Sequence, residues 1–332
     1  MAALSVLNPT LLDLAKSKDP DGSTADLVEI LNETNEILDD MVTIEGNLPT
    51  GHRSTVAAGI PAPTWRALYG FVQPSKMTRV QVTDNCGELA ALSQIDVKLA
   101  ELDGGGASFL LQESRAHIEG ISQEIADTLF YGNQGSEPDA FTGLAPRFND
   151  TTADNGENII LGGSAGGQTD NASIWLINWG VGKVHGITPK GSTAGLKVEE
   201  LGKQMISDSN GGRMQVIETK FGFDVGLAVP DWRYIVRIPN IDKSLLTKDA
   251  SSGADLPDLM FQALNKIHSL SGGRPSFYMS RDLRTWLGRQ TANLVKGSPL
   301  EMGTVGGKMV TTFHGIPIKR CDALSADEAR VA

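Results

Sequence analysis

The stretch Ala107–Tyr131 constrains this chain more than any other part, because it reads as one unbroken amphipathic helix. Leu111, Ile118, Ile121, Ile125 and Leu129 form an apolar stripe, while Gln112, Glu113, Arg115, Glu119, Gln123 and Asp127 cover the opposite side. Ser108 is placed to cap its start and Gly132 to close its end. Gly120, inside the helix, costs about 1 kcal/mol against alanine and marks a candidate close crossing.

The residues before this helix are of another kind. From Val42 to Leu102 the pattern is β: Thr55–Ala57, Met77–Thr83 and Ile95–Leu99 alternate as half-buried strands do. Between the first two lies Ile60–Tyr69, whose prolines exclude a central strand. The whole reads as a long β excursion. A two-stranded hairpin is marginal alone in water, so Trp65, Leu68, Tyr69 and Phe71, with Arg66 among them, need a surface to cover them. A neighbouring subunit is the expected cover, which makes these five residues the candidate subunit interface.

Upstream, Asp19–Gly22 is a turn signal, and Ser23–Asp26 fits a capping box ahead of a helix carrying Leu27, Leu31, Ile37 and Leu38. Downstream, a turn-rich region at Gly135–Gly156 leads to strands at Ser173–Trp179, Val181–Val184, Met214–Glu218, Val225–Val229 and Tyr234–Ile238. Helices follow at Leu256–Leu270 and Arg281–Gln290, with a short strand at Ser276–Met279 between them. A closing hairpin, Lys308–Phe313 and Ile316–Cys321, turns at His314-Gly315. Strands and helices are segregated rather than alternating, so the fold class is α+β.

Composition excludes several functions. The 332 residues are 40% hydrophobic and 21% charged, normal for a globular chain with a sizeable core. No window approaches ~18 apolar residues, so no membrane span is expected, and the N-terminus lacks the basic region of a signal peptide. Maturation in the cytoplasm, with Cys86 and Cys321 as free thiols, follows. A net charge of −11 opposes a phosphate-gripping surface, and basic residues do not gather beside aromatics. The 37 glycines cluster at intervals, as at Gly104–Gly106, Gly162-Gly163 and Gly306-Gly307, and read as mobile turns.

No catalytic chemistry emerges. Gly306-Gly307-Lys308 lacks the leading glycine and the hydroxyl of a phosphate-binding loop, and Gly162–Gly167 lacks the lysine. His52, His117, His185, His268 and His314 have no partner at metal-ligand spacing. No cofactor, metal or catalytic residue is expected, and the chain reads as a non-enzyme. Trp175, Trp179, Trp232 and Trp286 read as core residues, and Trp65 as one that a partner covers.

Element order carries a resemblance. Ile118–Asn133, ending in Tyr131-Gly132-Asn133 and followed by Pro138, Phe141 and Gly143-Leu144, resembles the end of the spine helix in tailed-phage major capsid proteins with the Hong Kong 97-type fold. Phe277–Ser280 with Leu283–Leu287, and the closing Phe313–Arg320, resemble that family's strand, short helix and final strand. Asn8–Asp13, Gly46–Arg53 and Pro63–Arg66 look closest to coat proteins of short-tailed phages like Epsilon-15 and the Bordetella phage.

The resemblance implies a Hong Kong 97-like capsid fold: N-terminal arm and first helix over 1–41, extended β loop over 42–102, spine helix and peripheral domain over 103–155, a mostly axial domain over 156–302, and a closing hairpin over 303–332 that returns to the peripheral domain. It implies a coat protein that assembles with itself as pentamers and hexamers in the host cytoplasm and resides in the virion. Such a shell encloses DNA without sequence-specific binding and works with a separate scaffolding protein, a portal and a decoration protein. The alternatives are an encapsulin-like compartment shell, and an enzyme whose site is assembled from residues distant in sequence.

Overall fold

The computed structural model describes residues 9, 33, 35–102, 106–163, 170–192, 194–207, 211–292, 300–305, 308–324 and 327–331. The proposed first helix therefore lies outside the described residues apart from its end, where Ile37–Asp40 (α1) is helical. The chain divides into two compact units.

The smaller unit takes its described residues from Glu88–Ala126 and Ala194–Asp224, together with Pro9 and Glu33. Strand β3 (Thr78–Asp96) ends here and passes into a short helix, α2 (Val97–Leu102). The expected strand Ile95–Leu99 is thus strand only to Asp96. The Asp96 carboxylate accepts the Lys98 amide at 2.7 Å, a local bond that turns the backbone into the helix. Ile95, Leu99, Ala100 and Phe109 form a small core, with Leu110 and Ile217 packed against it.

The long helix, α3 (Gly106–Tyr131), is present as expected, but its stripe splits. Ile121, Ile125 and Leu129 are buried, whereas Leu111 and Ile118 are exposed. In the first half Phe109 takes the buried role instead, and His117 stacks on Phe221 at 5.5 Å. A Cβ at Gly120 would meet nothing within 4 Å, so no close crossing occurs there among the described residues.

Beside it stands a hairpin whose first strand escaped the sequence reading: β6 (Leu196–Ser207) against β7 (Arg213–Ala228), antiparallel from Leu196↔Phe223 to Ser207↔Arg213. The register slips between Glu200 and Gly202, and Gly202 takes φ 72°, the left-handed backbone that a glycine bulge requires.

The larger unit takes its described residues from Thr34–Gly87, Asp127–Thr193 and Val225–Ala332. Its main sheet runs β10 (Leu300–Val305), β11 (Lys308–Phe313), β12 (Ile316–Arg320), β9 (Arg274–Met279), β4 (Asn171–Trp179) and β8 (Ile235–Asp242). Every residue of β4 is buried. Its Ile174 and Leu176 share a core with Leu256, Leu259, Met260 and Ala263 of α4 (Leu256–Lys266) and with Leu283 and Leu287 of α5 (Arg281–Ala292). The opposite face carries Trp175, met by Phe130 at 6.2 Å and Phe148 at 6.0 Å. Cover on both faces explains why Ser173–Trp179 reads as a continuous apolar run rather than an alternating one.

Local signals fix the ends of these elements. Asp255 caps α4 by accepting the Asp258 amide, and Pro257 sits in its first turn. This helix stops at Lys266, short of the expected Leu270, because the His268 amide donates to Arg233 instead of continuing the ladder. The β11–β12 hairpin turns at His314 (φ 47°) and Gly315 (φ 80°), the paired left-handed geometry that suits the twist of two-residue hairpins. Val181–Val184 is a turn rather than a strand: Gly182 has φ 77° and the Lys183 amide donates to Gly180. Strand β5 (His185–Thr188) begins only afterwards. It lies parallel to β1 (Thr43–Glu45), in a sheet of order β1-β5-β7-β3-β2, where β2 is Gly51–Gly59 and β6 joins through β7.

Candidate subunit interface

Strands β2 and β3 make the excursion. They pair antiparallel from Gly51↔Asn85 to Gly59↔Thr78, with a slip between Ala57 and Gly59. Asn47 braces the base, donating to the Arg53 carbonyl at 2.8 Å and accepting the Arg53 amide at 2.7 Å. Beyond Gly59, residues 60–77 have no regular structure. The Gly70 amide closes a turn on Ala67 O at 3.0 Å, and Ser75 Oγ reaches Ala62 O at 3.3 Å. Tyr69 holds φ 64° in that turn, a backbone normally left to glycine and costing about 1–3 kcal/mol for a bulky residue.

All five sequence-predicted interface residues fall on this loop, and all are exposed. Trp65 is 105% accessible, Phe71 98%, Tyr69 97% and Leu68 89%. Ile60, at 92%, belongs with them and was missed because its proline neighbours mark a turn. Moving one such side chain out of water is worth about 1.5–3 kcal/mol, so leaving five of them wet strongly favours a cover. Arg66, directly after Trp65, is a single basic residue and makes no basic cluster. It is the only charge between Ile60 and Val72.

Two more exposed apolar surfaces belong to the smaller unit, Leu111 with Ile118 on α3 and Val198, Met205 and Met214 on the β6–β7 hairpin. The first pair was read as buried. The second lay in plain sight as the alternating Leu196-Lys-Val198.

The base of the excursion is polar. His52 of β2 and His185 of β5 meet edge to face, with ring centroids 5.8 Å apart. Asp84 of β3, opposite His52 in the ladder, accepts from Arg147 at 2.8 Å and from the Val229 amide at 3.3 Å. Burial pushes the His185 imidazole below its ordinary 6.5; the nearby His52 adds to that shift and Asp84 opposes it.

A second buried network closes the chain's C-terminal segment onto the sheet. Arg237 pairs with Glu328 at 2.7 Å, both almost fully buried. Arg237 also donates to the carbonyls of Phe148 (2.8 Å) and Ala145 (3.3 Å) and lies 5.0 Å over the Trp175 ring. Glu328 accepts from Ser173 Oγ and, at 2.7 Å, from the Tyr131 hydroxyl. Both oxygens and all three nitrogens of this pair have hydrogen-bond partners, the condition under which a buried ion pair is tolerated.

Among the described residues no three His, Cys, Asp or Glu side chains are placed to hold a metal ion, and no helix is long and apolar enough to cross a membrane. Cys321 is buried and Cys86 half-buried, both as free thiols. Trp175 and Trp179 are core residues, while Trp286 is partly buried under Arg289. Most of the glycine run Gly162–Gly167, and Gly306 and Gly307, lie outside the described residues.

The structure is thus an α+β body carrying a long excursion whose apolar side chains the chain itself leaves uncovered. The family model "Major capsid protein GP7" matches residues 19–332. A chain of bacteriophage Epsilon15 is 37% identical, covers 100% of both chains and superposes with a TM-score of 0.79. The bacteriophage JBD30 capsid, 11% identical over 96% of this chain and 99% of its own, shares the fold with a TM-score of 0.51. No curated protein matches the chain. The chain belongs to the major capsid protein GP7 family: it is a structural coat protein that self-assembles into the icosahedral head of a phage, and its place is the virion.

Proposed function

We propose that assembly proceeds through the β2–β3 excursion, with Trp65, Arg66, Leu68, Tyr69 and Phe71 lying on an adjacent copy in pentamers and hexamers. The observation that carries this is the near-complete exposure of four large apolar side chains on one loop. Contacts of this kind are heterologous, and rings close when the rotation between copies permits. Each contact is weak, but every subunit makes several, so the closed shell gains through multivalency.

In this reading 1–41 is the arm, 42–102 the extended loop, 103–155 the spine helix and peripheral domain, 156–302 mostly the axial domain, and 303–332 the return to the peripheral domain. The subunit is not an enzyme. Its net charge of −11 suits enclosure of DNA without gripping it. Assembly in the host cytoplasm, with a separate scaffolding protein, a portal and a decoration protein, follows from the coat role.

Replacing Ile60–Phe71 with a short glycine-serine linker tests the proposal. The expected product is a folded, soluble subunit that forms no closed shells by electron microscopy. Intact particles from that variant would defeat it.

A further inference from the structure

We propose that His185, packed edge to face against His52, is a proton-sensitive joint at the root of the excursion, and that charging it opens the seam between β2 and β5. The segment leading into β2 is tied to the end of β5: the Gly46 amide donates to Thr188 O at 2.8 Å, the Lys190 amide to Leu48 O at 3.1 Å, and Leu48 bridges Gly51 at the start of β2. Beside these backbone contacts the two rings meet edge to face, 5.8 Å apart.

The site of His185 suits the neutral ring. His185 is buried in full, and neither of its ring nitrogens has a hydrogen-bond partner; Nδ1 of His52 is likewise buried and unpaired. The Gly180 backbone lies near enough to favour the protonated ring slightly without meeting hydrogen-bond geometry. A neutral imidazole in such a place acts as a flat, largely apolar plate. A charged one has two N–H donors that must be satisfied, and two charged rings also repel each other.

Among the described residues, the charged groups around the pair already have partners, and the attraction of Asp84 does not outweigh burial. From β3 the pair faces Asp84, whose oxygens already hold Arg147 and the Val229 amide. Arg147 is itself a cation in the cluster, tied further to the Gly143, Thr142 and Leu227 carbonyls. On β1, Glu45 accepts the Gly191 amide at 2.8 Å. In the turn before β5, Lys183 donates to Ser271 O at 2.6 Å and lies over the Tyr234 ring. The stretch of β7 paired to β5, Gly226–Ala228, carries no charge.

The sign follows. The folded ring binds its proton more weakly than an unfolded histidine, so the joint is at full strength above the ordinary value of 6.5 and weakens as pH falls below it. Coupling to one proton changes the opening equilibrium by at most about tenfold per pH unit. The effect stops once the folded ring is charged.

Hydrogen exchange on the full chain, corrected for the intrinsic pH dependence of exchange, reads the joint directly, with NMR titration of the imidazoles alongside. Between about pH 7.5 and 5, protection at Gly51–Val56 and His185–Thr188 is expected to fall by up to about tenfold per unit, while β4, β8 and β9 keep theirs. H185F retains a ring without a titratable nitrogen, and should flatten that dependence. Should H185F fail to fold, the titration alone decides. An imidazole of His185 that titrates at or above 6.5, or seam amides whose protection is constant with pH, overturns the proposal. So does an H185F variant that loses protection as the natural protein does.

Discussion

Ser173–Trp179 and Ile60–Phe71 are both rich in large apolar side chains, yet β4 is buried on both faces and the excursion loop is almost wholly exposed. Sequence hydrophobicity therefore does not separate them. What does is the company each keeps: β4 has β8 and β9 for edges and α4, α5 and the end of α3 for faces, while the loop has proline-broken backbone and one strand pair behind it. Within the subunit the first region is covered and the second is not; in the proposed reading a second copy covers it, so that stability and assembly rest on different residues.

That division can be broken by mutation. The largest effect should come from Glu328→Gln, which leaves Arg237 buried and unpaired and should cost the free subunit about 3–5 kcal/mol in denaturant unfolding. The double change Arg237→Met with Glu328→Leu should recover part of that loss. Leu176→Ala, in the packed face of β4, should cost about 2–5 kcal/mol by the same measurement.

Trp65→Ala should behave oppositely. The midpoint of unfolding of the free subunit should stay within about 0.5 kcal/mol, as for surface changes generally. The concentration needed for shell formation, followed by light scattering, should rise about tenfold or more, since about 1.5–3 kcal/mol of burial is lost per contact. A Trp65→Ala subunit that unfolds much more easily would erase the contrast. The smallest effect belongs to Lys203→Ala, whose ion pair with Glu101 is exposed at both ends and should contribute less than about 1 kcal/mol to either property.

The sequence already marks much of this architecture. The helix over Ala107–Tyr131, the His314-Gly315 turn and the continuous β4 run are local signals, and local signals survive folding because capping, turn chemistry and burial act on neighbouring residues. The loop residues were legible for the same reason, as apolar side chains trapped between prolines. What stayed hidden depends on distance. The splitting of the α3 stripe, with Leu111 and Ile118 left outside, reflects which partner each half of the helix meets, and periodicity is blind to that. Glu328 carries no signal at all, since its meaning comes from Arg237 and Tyr131, far away in the chain. His52 and His185 are a pair only because the turn back from β1 brings β2 against β5.

Hydroxyl-radical footprinting of the free subunit and of assembled shells addresses the contrast most directly. Trp65, Tyr69 and Phe71 should be modified heavily in the subunit and become protected in the shell, with Trp175 and Trp179 unreactive in both. Equal reactivity of the three loop aromatics in the two states would contradict the account.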